Sequence, residues 1–474
     1  MIGDLKPYAA YKDSDVPWLG KVPEHWDVRP LFSTYHSKLV RNLGMIEKTV
    51  LSLSYGQIIV KPEEKLHGLV PESFETYQIV DPGNIIIRTT DLQNDKVSLR
   101  VGLVKDRGII TSAYLCLQVK QRLLKDYGYL LLNAYDLLKI FYGYGSGLRQ
   151  NLDFTHIKRM PVLAPPIEEQ TAIATFLDYA DRRIRRYIRS KQKLIKLLEE
   201  EKQVVINEAV TCGLDPNVPM KRSGFDWLGE IPKHWKVKRV KNVCHVLRGK
   251  FSHRPRNDPR FYDGQYPFIQ TGDISAAKKY ISGYSQTLND KGLAISKMFP
   301  AGTLAMVITG AKTGHVAILG FNACFPDSAV GFFPFDSQSD TEFLFYLFIS
   351  LKKKLDQSAI TSTQENLNIE RIGSQIIACP PVQEQEEIAT YLQEKLTDLD
   401  DVSRRIQMQI TLLREFRTRL IADVVTGKLD VREAAANLPP EVNDLEPLDE
   451  DLDEDGIGLE DELDPDAAPE DDAA

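Results

Sequence analysis

The segment Asp15-Val-Pro-Trp-Leu-Gly-Lys-Val-Pro-Glu-His-Trp26 returns as Phe225-Asp-Trp-Leu-Gly-Glu-Ile-Pro-Lys-His-Trp235, at an offset of 209 in a chain of 474 residues. The pairs Trp18/Trp26 and Trp227/Trp235 account for all four tryptophans. Farther on, Pro165-Pro-Ile-Glu-Glu-Gln-Thr-Ala-Ile-Ala-Thr175 matches Pro380-Pro-Val-Gln-Glu-Gln-Glu-Glu-Ile-Ala-Thr390 at an offset of 215. That offset persists from Ala209-Val-Thr-Cys-Gly-Leu-Asp215 to Val424-Val-Thr-Gly-Lys-Leu-Asp430. Each half therefore runs in the same order: a Trp-bearing lead-in, a long variable stretch, a Pro-Pro turn and a long helical pattern. Chance similarity does not keep Trp, His and Pro in fixed order, so the chain is a tandem duplication.

The stretches after each Pro-Pro carry the clearest periodicity. Alternate steps of four and three from Ile173 give Leu177, Ala180, Ile184, Tyr187, Lys191, Leu194, Leu198, Glu201 and Val205. Shifted by 215, the same steps give Ile388, Leu392, Lys395, Leu399, Val402, Ile406, Gln409, Leu413, Phe416 and Leu420. Eight of ten positions in each set are apolar or aromatic, which is a heptad seam. No Gly or Pro interrupts 167–212 or 382–426, and Glu168, Glu169 and Glu384 place acids at the positive helix ends. Two helices with matched seams bury each other best, and we expect them to pair antiparallel, relating the halves by a pseudo-two-fold axis.

The variable stretches, about 28–160 and 237–379, hold short β-type runs broken by Gly: Asn84–Thr90, Gly108–Thr111, Tyr114–Val119 and Thr303–Thr309. A helical run closes each, Lys125–Tyr142 and Thr341–Lys354. The expected fold class is α+β, two tandem mixed α/β domains separated by two long antiparallel coiled-coil helices. The expected boundaries are 1–164 for the first domain, 165–212 for the central helix, 213–379 for the second domain, 380–430 for the C-terminal helix and 431–474 for an acidic tail.

Charge divides the same way. The formal net charge is −8, yet residues 441–474 hold 17 acids and no base, leaving 50 acids against 59 bases, or +9, in the rest. A one-sign block poor in aromatics cannot bury enough apolar surface to fold and is expected to be disordered. The basic remainder suits a polyanion. No apolar run reaches the ~20 residues of a membrane span, and Met1-Ile2-Gly3-Asp4 does not begin a signal peptide. The cysteines at 116, 212, 244, 324 and 379 are widely spaced with no CxxC pair, which reads as reduced cytoplasmic thiols rather than a disulfide framework or zinc site.

With these residues in hand, the chain resembles the specificity subunit of a type I restriction–modification system. The resemblance rests on Trp-Leu-Gly-x-x-Pro-x-His-Trp, on Asn151-Leu152 and Asn366-Leu367 ahead of a Pro-Pro turn ending in Glu-Gln, and on the long helix, all occurring twice. It covers nearly all of 10–430. It implies two target recognition domains that each read half of a bipartite double-stranded DNA target, asymmetric because the domains differ. It implies helices that hold those domains apart and carry two methyltransferase subunits, which methylate adenine, with restriction (motor and nuclease) subunits joining them. S-adenosylmethionine, ATP and Mg would sit on the partners, and this chain would hold no cofactor, no metal and no active site.

The strongest local DNA signal is Arg248-Gly-Lys-Phe-Ser-His-Arg-Pro-Arg-Asn-Asp-Pro-Arg260, in which Arg248, Lys250, Arg254, Arg256 and Arg260 flank Phe251 and His253. Its plainer reading is a solvated basic loop. Lys38 and Arg41 form a shorter counterpart in the first domain. Base reading needs Arg, Asn or Gln on a rigid support, and three turns follow strand patterns: Arg88, Thr89, Thr90 and Gln93; Gln270 and Thr271; Lys312 and Thr313. Ordinary turn chemistry competes at each. Tyr144, Arg149 and Gln150, and Gln364, precede the Asn-Leu pairs and resemble the family's loops near DNA. Phe141-Tyr-Gly143-Tyr-Gly145 imitates an S-adenosylmethionine motif, but it follows a helical run and the chain has no Asn/Asp-Pro-Pro-Tyr. There is also no phosphate loop, and Pro326-Asp327 lacks a following Glu/Asp-x-Lys. The rival readings are a coiled-coil scaffold without sequence-specific DNA contact, a methyltransferase in its own right, and the specificity subunit of a system with one fused methyltransferase–nuclease partner. His25-Trp26 and His234-Trp235 read as anchors to the helix pair, and the pairs Glu169-Gln170 and Glu384-Gln385 as helix starts, with partner docking as the second reading.

Overall fold

The computed structural model describes residues 5–62, 73–90, 92, 95, 98–144, 151–254, 256–335, 338–360 and 367–439. Four of the expected contact residues, Gln93, Arg149, Gln150 and Gln364, lie outside the described residues, as does the acidic segment from 440 onward. The chain divides into two compact units, 1–190 with 409–474, and 191–408.

In the first unit Tyr11–Asp13 pairs antiparallel with Lys21–Pro23, and Asp27–Pro30 with Pro161–Ala164. The second pairing lays the first strand after Trp26 beside the last strand before the Pro-Pro turn, which closes the variable stretch into a domain. Inside it a four-stranded sheet runs in the order Tyr35–Ser37, Leu115–Val119, Ile85–Ile87, Val101–Leu103. Ile85, Ile86 and Ile87 are all buried, which explains a continuous apolar run where a one-sided strand would alternate. The helix Lys125–Leu137 closes the domain on Tyr127, Leu131, Leu132 and Tyr135.

The second unit repeats the plan. Met220–Arg222 pairs with Glu230–Pro232, and Lys236–Arg239 with Ile376–Cys379. Its main sheet has the same order, Cys244–Arg248, Ala329–Pro334, Leu304–Val307, Val316–Leu319, with Tyr280–Ile281 added at the edge. A second sheet of Gln286–Leu288, Tyr262–Phe268, Ala323–Cys324 and Met298–Phe299 is particular to this unit's elaboration. The helix Thr341–Ile360 presses Phe343, Leu344, Leu347, Phe348 and Leu351 into the core, with the Phe332 and Phe348 rings 4.5 Å apart.

The long helices span Ile167–Cys212 and Val382–Val425, each roughly 65–70 Å at 1.5 Å per residue. They pair antiparallel. Within the second unit Lys202 Nζ lies 2.5 Å from Asp400 Oδ1 while residues 206–210 meet 388–392, so the partner's number falls as the first helix's number rises; in the first unit Arg417 meets Asp181. In the second unit Ile206, Ala209 and Val210 share a core with Ile388, Ala389 and Leu392.

The seam itself differs from the heptad reading. Ile173, Leu177, Ala180 and Ile184 are buried as expected, but the next buried residue is Ile188, then Leu198 and Lys202, while Tyr187 and Leu194 are about half exposed. On the second helix Leu399, Ile406, Ile410 and Leu420 are buried, and Val402 and Phe416 are exposed. An α-helix has 3.6 residues per turn, so a strict 3.5 repeat drifts about 20° per heptad, and an extra step of four (Ile184 to Ile188) takes up the drift.

The repeated lead-ins and Glu-Gln pairs explain one another. Trp26 is fully buried, and its Nε1 donates to Glu169 Oε1 at 3.1 Å while His25 Nε2 lies 2.8 Å from Oε2. The Tyr8 hydroxyl also donates to Glu169; burial and that carboxylate push its pKa upward. The second unit repeats the clasp, with Trp235 Nε1 3.0 Å and His234 Nε2 2.8 Å from the Glu384 carboxylate. The neighbouring glutamines work locally. Gln170 Nε2 donates to Pro165 O and Arg122 O while its Oε1 accepts from Leu124 N; Gln385 does the same with Pro380 O, Gln338 O and Asp340 N. Each dipeptide thus ties a domain to its long helix, as the anchoring reading expects.

Candidate nucleic-acid interface

In both units the strand next to the centre of the sheet runs out into a turn that the Asn-Leu motif holds down. In the first, Leu152 N donates to Thr89 O at 2.9 Å; in the second, Leu367 N donates to Ile308 O at 3.0 Å. The motif that recurs in sequence is therefore a backbone staple on the turn that carries the candidate base-reading residues.

The first domain's turn is built on a charge the sequence reading did not single out. Arg100 is 0 % exposed, and its guanidinium donates to Thr90 O and Asp95 O, each at 2.6 Å, and to the Tyr142 hydroxyl at 3.2 Å. Arg88 is mostly buried with its Nη1 3.7 Å from Asp95. Thr89 faces inward, its hydroxyl donating to Ala113 O at 2.7 Å, and Thr90 is half-buried. Thr89 thus does turn chemistry. Lys38 is ion-paired to Asp81 at 2.6 Å, and that ammonium holds the Asp81 carboxyl below its ordinary range. Arg41 is exposed on a backbone bridge to Gln78, and Tyr144 is half-buried just past the turn Ile140–Gly143. That placement puts Phe141, buried, and Gly143 of the cofactor look-alike in a short 3-10 turn.

In the second domain the basic loop is folded onto two aspartates. Arg254 Nη2 lies 3.0 Å from Asp327 Oδ2, Arg256 takes Oδ1, and Arg248 Nε donates to the Asp327 carbonyl at 2.6 Å. Arg260 grips Asp258 through Nε and Nη2, and the guanidinium holds that carboxyl far below its ordinary range. His253 lies 3.0 Å from the same carboxylate, its ring 4.6 Å from Phe261. The guanidiniums stay accessible, with 51, 46 and 71 % of the Arg254, Arg256 and Arg260 side chains exposed. Lys250 is exposed. Gln270 is a helix cap: its backbone N–H donates to Asp273 and its side chain to Gln286 at 2.8 Å, ahead of Thr271. Lys312, exposed, and Thr313, whose hydroxyl donates to Gly310 O, lie on a turn whose Gly310 and Gly314 have φ of 82° and 81°, values that favour glycine.

Sequence reading missed Arg100, Asp327 and Lys352, the last with its Nζ 3.3 Å from His315 Nε2. Arg100 precedes an apolar run like any flanking charge, and Asp327 meets the loop from 73 positions beyond Arg254. Neither distance nor burial was legible. Among the described residues no group of three His, Cys, Asp or Glu could hold a metal ion, and no helix is long and apolar enough to cross a membrane.

A family model for the type I restriction modification DNA specificity domain matches residues 46–197 and 232–412. The chain belongs to this family. It is a specificity subunit, the non-catalytic member that brings DNA recognition to partner enzymes. Among relatives, it is 24 % identical over 344 residues to the type I restriction enzyme MjaVIII specificity subunit of Methanocaldococcus jannaschii, covering 69 % of this chain and 75 % of that protein. The fold is similar to a chain from a structure of complex assembly and conformational transition of the type I R-M system, with a TM-score of 0.65 at 15 % identity over 86 % of this chain and 99 % of the other. It is also similar to the HsdS subunit of Thermoanaerobacter tengcongensis, with a TM-score of 0.50 at 16 % identity over 86 % and 98 %.

Proposed function

We propose that this specificity subunit reads a bipartite, asymmetric double-stranded DNA target in the cytoplasm, one half-site per variable domain. It directs adenine methylation by two methyltransferase subunits and cleavage by restriction subunits, and S-adenosylmethionine, ATP and Mg belong to those partners. The expected boundaries, 1–164 and 213–379 for the recognition domains, and the pseudo-two-fold relation between halves are part of the same reading. The observation that carries it is one sheet order used twice with differently furnished turns past the same strand: Arg88 to Thr90 on a buried arginine in one domain, Lys312 and Thr313 between glycines in the other. A duplicated scaffold with divergent turns is what two different half-sites require.

The long helices supply a place for the methyltransferases. On the first helix Leu194, Leu197 and Val204 in the second unit are about half exposed, as are Val402 and Met408 on the second helix. In the first unit Tyr187, Leu412 and Phe416 are likewise exposed. On the first helix these recur at a spacing of seven, Tyr187 to Leu194 and Leu197 to Val204, and exposed apolar side chains so placed suit a partner helix laid alongside.

The test is methylome sequencing of a host with and without this gene, an active partner methyltransferase being present. A split motif of two short half-sites that disappears on deletion is the expected result; unchanged methylation would reject DNA reading and leave an assembly scaffold. Leu194→Asp with Leu197→Asp should abolish co-purification of the methyltransferase at unchanged thermal stability. Retained co-purification would move the docking face elsewhere.

A further inference from the structure

The two domains can be aligned by hydrogen bonds rather than by sequence. Arg88 N donates to Arg100 O at 2.8 Å, as Val307 N donates to His315 O at 2.9 Å; Gly83 N donates to Val104 O, as Gly302 N donates to Leu319 O. Arg100 and His315 therefore occupy one topological position, the root of the strand that returns from the DNA-facing turn. The sequences give no hint of it, because the two residues share neither type nor context.

Both residues link the turn to the helix that closes the domain. The Arg100 guanidinium gathers Thr90 O from one limb and Asp95 O from the other, and its backbone N–H donates to Asp136 on the helix Lys125–Leu137. Its Nε donates to the Tyr142 hydroxyl, which in turn donates to Asp95 O at 2.8 Å. In the second domain His315 Nδ1 lies 2.9 Å from Lys312 O, and Nε2 lies 3.3 Å from Lys352 Nζ on the helix Thr341–Ile360. The tautomer with hydrogen on Nδ1 serves both contacts, donating to the carbonyl and accepting from the ammonium.

We infer that this root residue, Arg100 in the first domain and His315 in the second, is a positioning residue that sets the turn and with it the base preference at its own half-site. The inference rests on the DNA-reading function proposed above. A buried guanidinium must have its donors met and holds them in a fixed planar fork, so the carbonyls of Thr90 and Asp95, and with them the neighbouring Arg88 and Thr90 side chains, have one arrangement. Base discrimination needs placement within about 0.5 Å, and neither root residue has to touch DNA to control it.

The experiment uses the complete chain assembled with its methyltransferase subunits, and measures methylation of the cognate duplex and of duplexes mismatched in one half-site or the other. Arg100→Met should raise methylation of targets mismatched in the first domain's half-site about tenfold relative to cognate and leave the other half-site unchanged. Arg100→Lys keeps the charge but not the fork and should follow it. His315→Ala should relax the opposite half-site, with rescue by His315→Gln, whose amide can both donate and accept. Equal relaxation at both half-sites, or none at either with unchanged thermal midpoints, would overturn the inference. If Arg100→Met does not fold, the His315 pair decides. A wild-type complex without a split motif would instead reject the proposed function.

Discussion

Four arginines and a histidine of the 248–260 loop gather on Asp258 and Asp327, and that sharing sets how the loop would meet the DNA proposed for it. Asp327 faces Arg254 and Arg256 at once while both side chains stay about half in solvent. At an exposed site such pairs contribute little to stability, so their consequence lies in orientation and in charge. The two guanidiniums are preassembled, and one acid lowers the loop's attraction for phosphate. Asp327→Asn removes that charge and keeps the carbonyl that accepts from Arg248. It should tighten non-specific binding to a duplex at low salt by about tenfold and steepen the dependence of log affinity on log salt by about one to two, since each neutralised phosphate adds about 0.9 to the slope. Fluorescence anisotropy across a salt series reads both. An unchanged slope would show that Arg254 and Arg256 do not reach phosphate.

At the scale of elements, the clasp between each lead-in and each long helix has two copies of unequal burial. Glu169 is 4 % exposed and serves Trp26, His25 and Tyr8; Glu384 is 26 % exposed and serves Trp235 and His234. Truncating a buried acceptor strands its donors at about 1–3 kcal/mol each. With Trp26 and Tyr8 stranded, Glu169→Ala should cost about 2–6 kcal/mol, and with Trp235 stranded, Glu384→Ala about 1–3 kcal/mol, read as shifts in denaturant midpoint; equal losses or the reverse order would contradict the assignment. Much of this level could be seen in the sequence: the duplication, both long helices (the second ends at Val425 rather than 430), the Ile85 and Leu304 strands and the anchoring Trp26 and Trp235. The seam was legible at Leu198 on the first helix and at Ile388, Leu392, Leu399, Ile406 and Leu420 on the second, but not at Tyr187, Leu194, Val402 or Phe416, because heptad and 3.6-residue periods diverge while the sequence offers apolar residues to both, Tyr187 and Ile188 side by side. Contact residues were legible as turn positions but not as partners. Thr89 donates to a backbone carbonyl and Gln270 to the Gln286 side chain, and Arg100 and Asp327 entered through contacts that no spacing rule announces.

For the whole molecule the decisive quantity is the division of charge. Residues 441–474 carry 17 acids and no base on a chain whose remainder is formally +9. Tethered to a DNA-reading subunit, such a segment competes with phosphate for the same lysines and arginines and repels the duplex at long range. That opposition acts over a Debye length of about 30 Å at 0.01 M salt and about 8 Å at 0.15 M. Removing 441–474 should therefore strengthen non-specific binding at low salt, with the gain shrinking as salt rises, while the methylated motif stays the same, as the proposed reading of bases by the turns of the two domains requires. Affinity unchanged across the whole salt series would show that the tail's charge does not act on DNA. A gain that persisted undiminished at high salt would point instead to a specific contact with the protein's own surface, since a screened field cannot supply it.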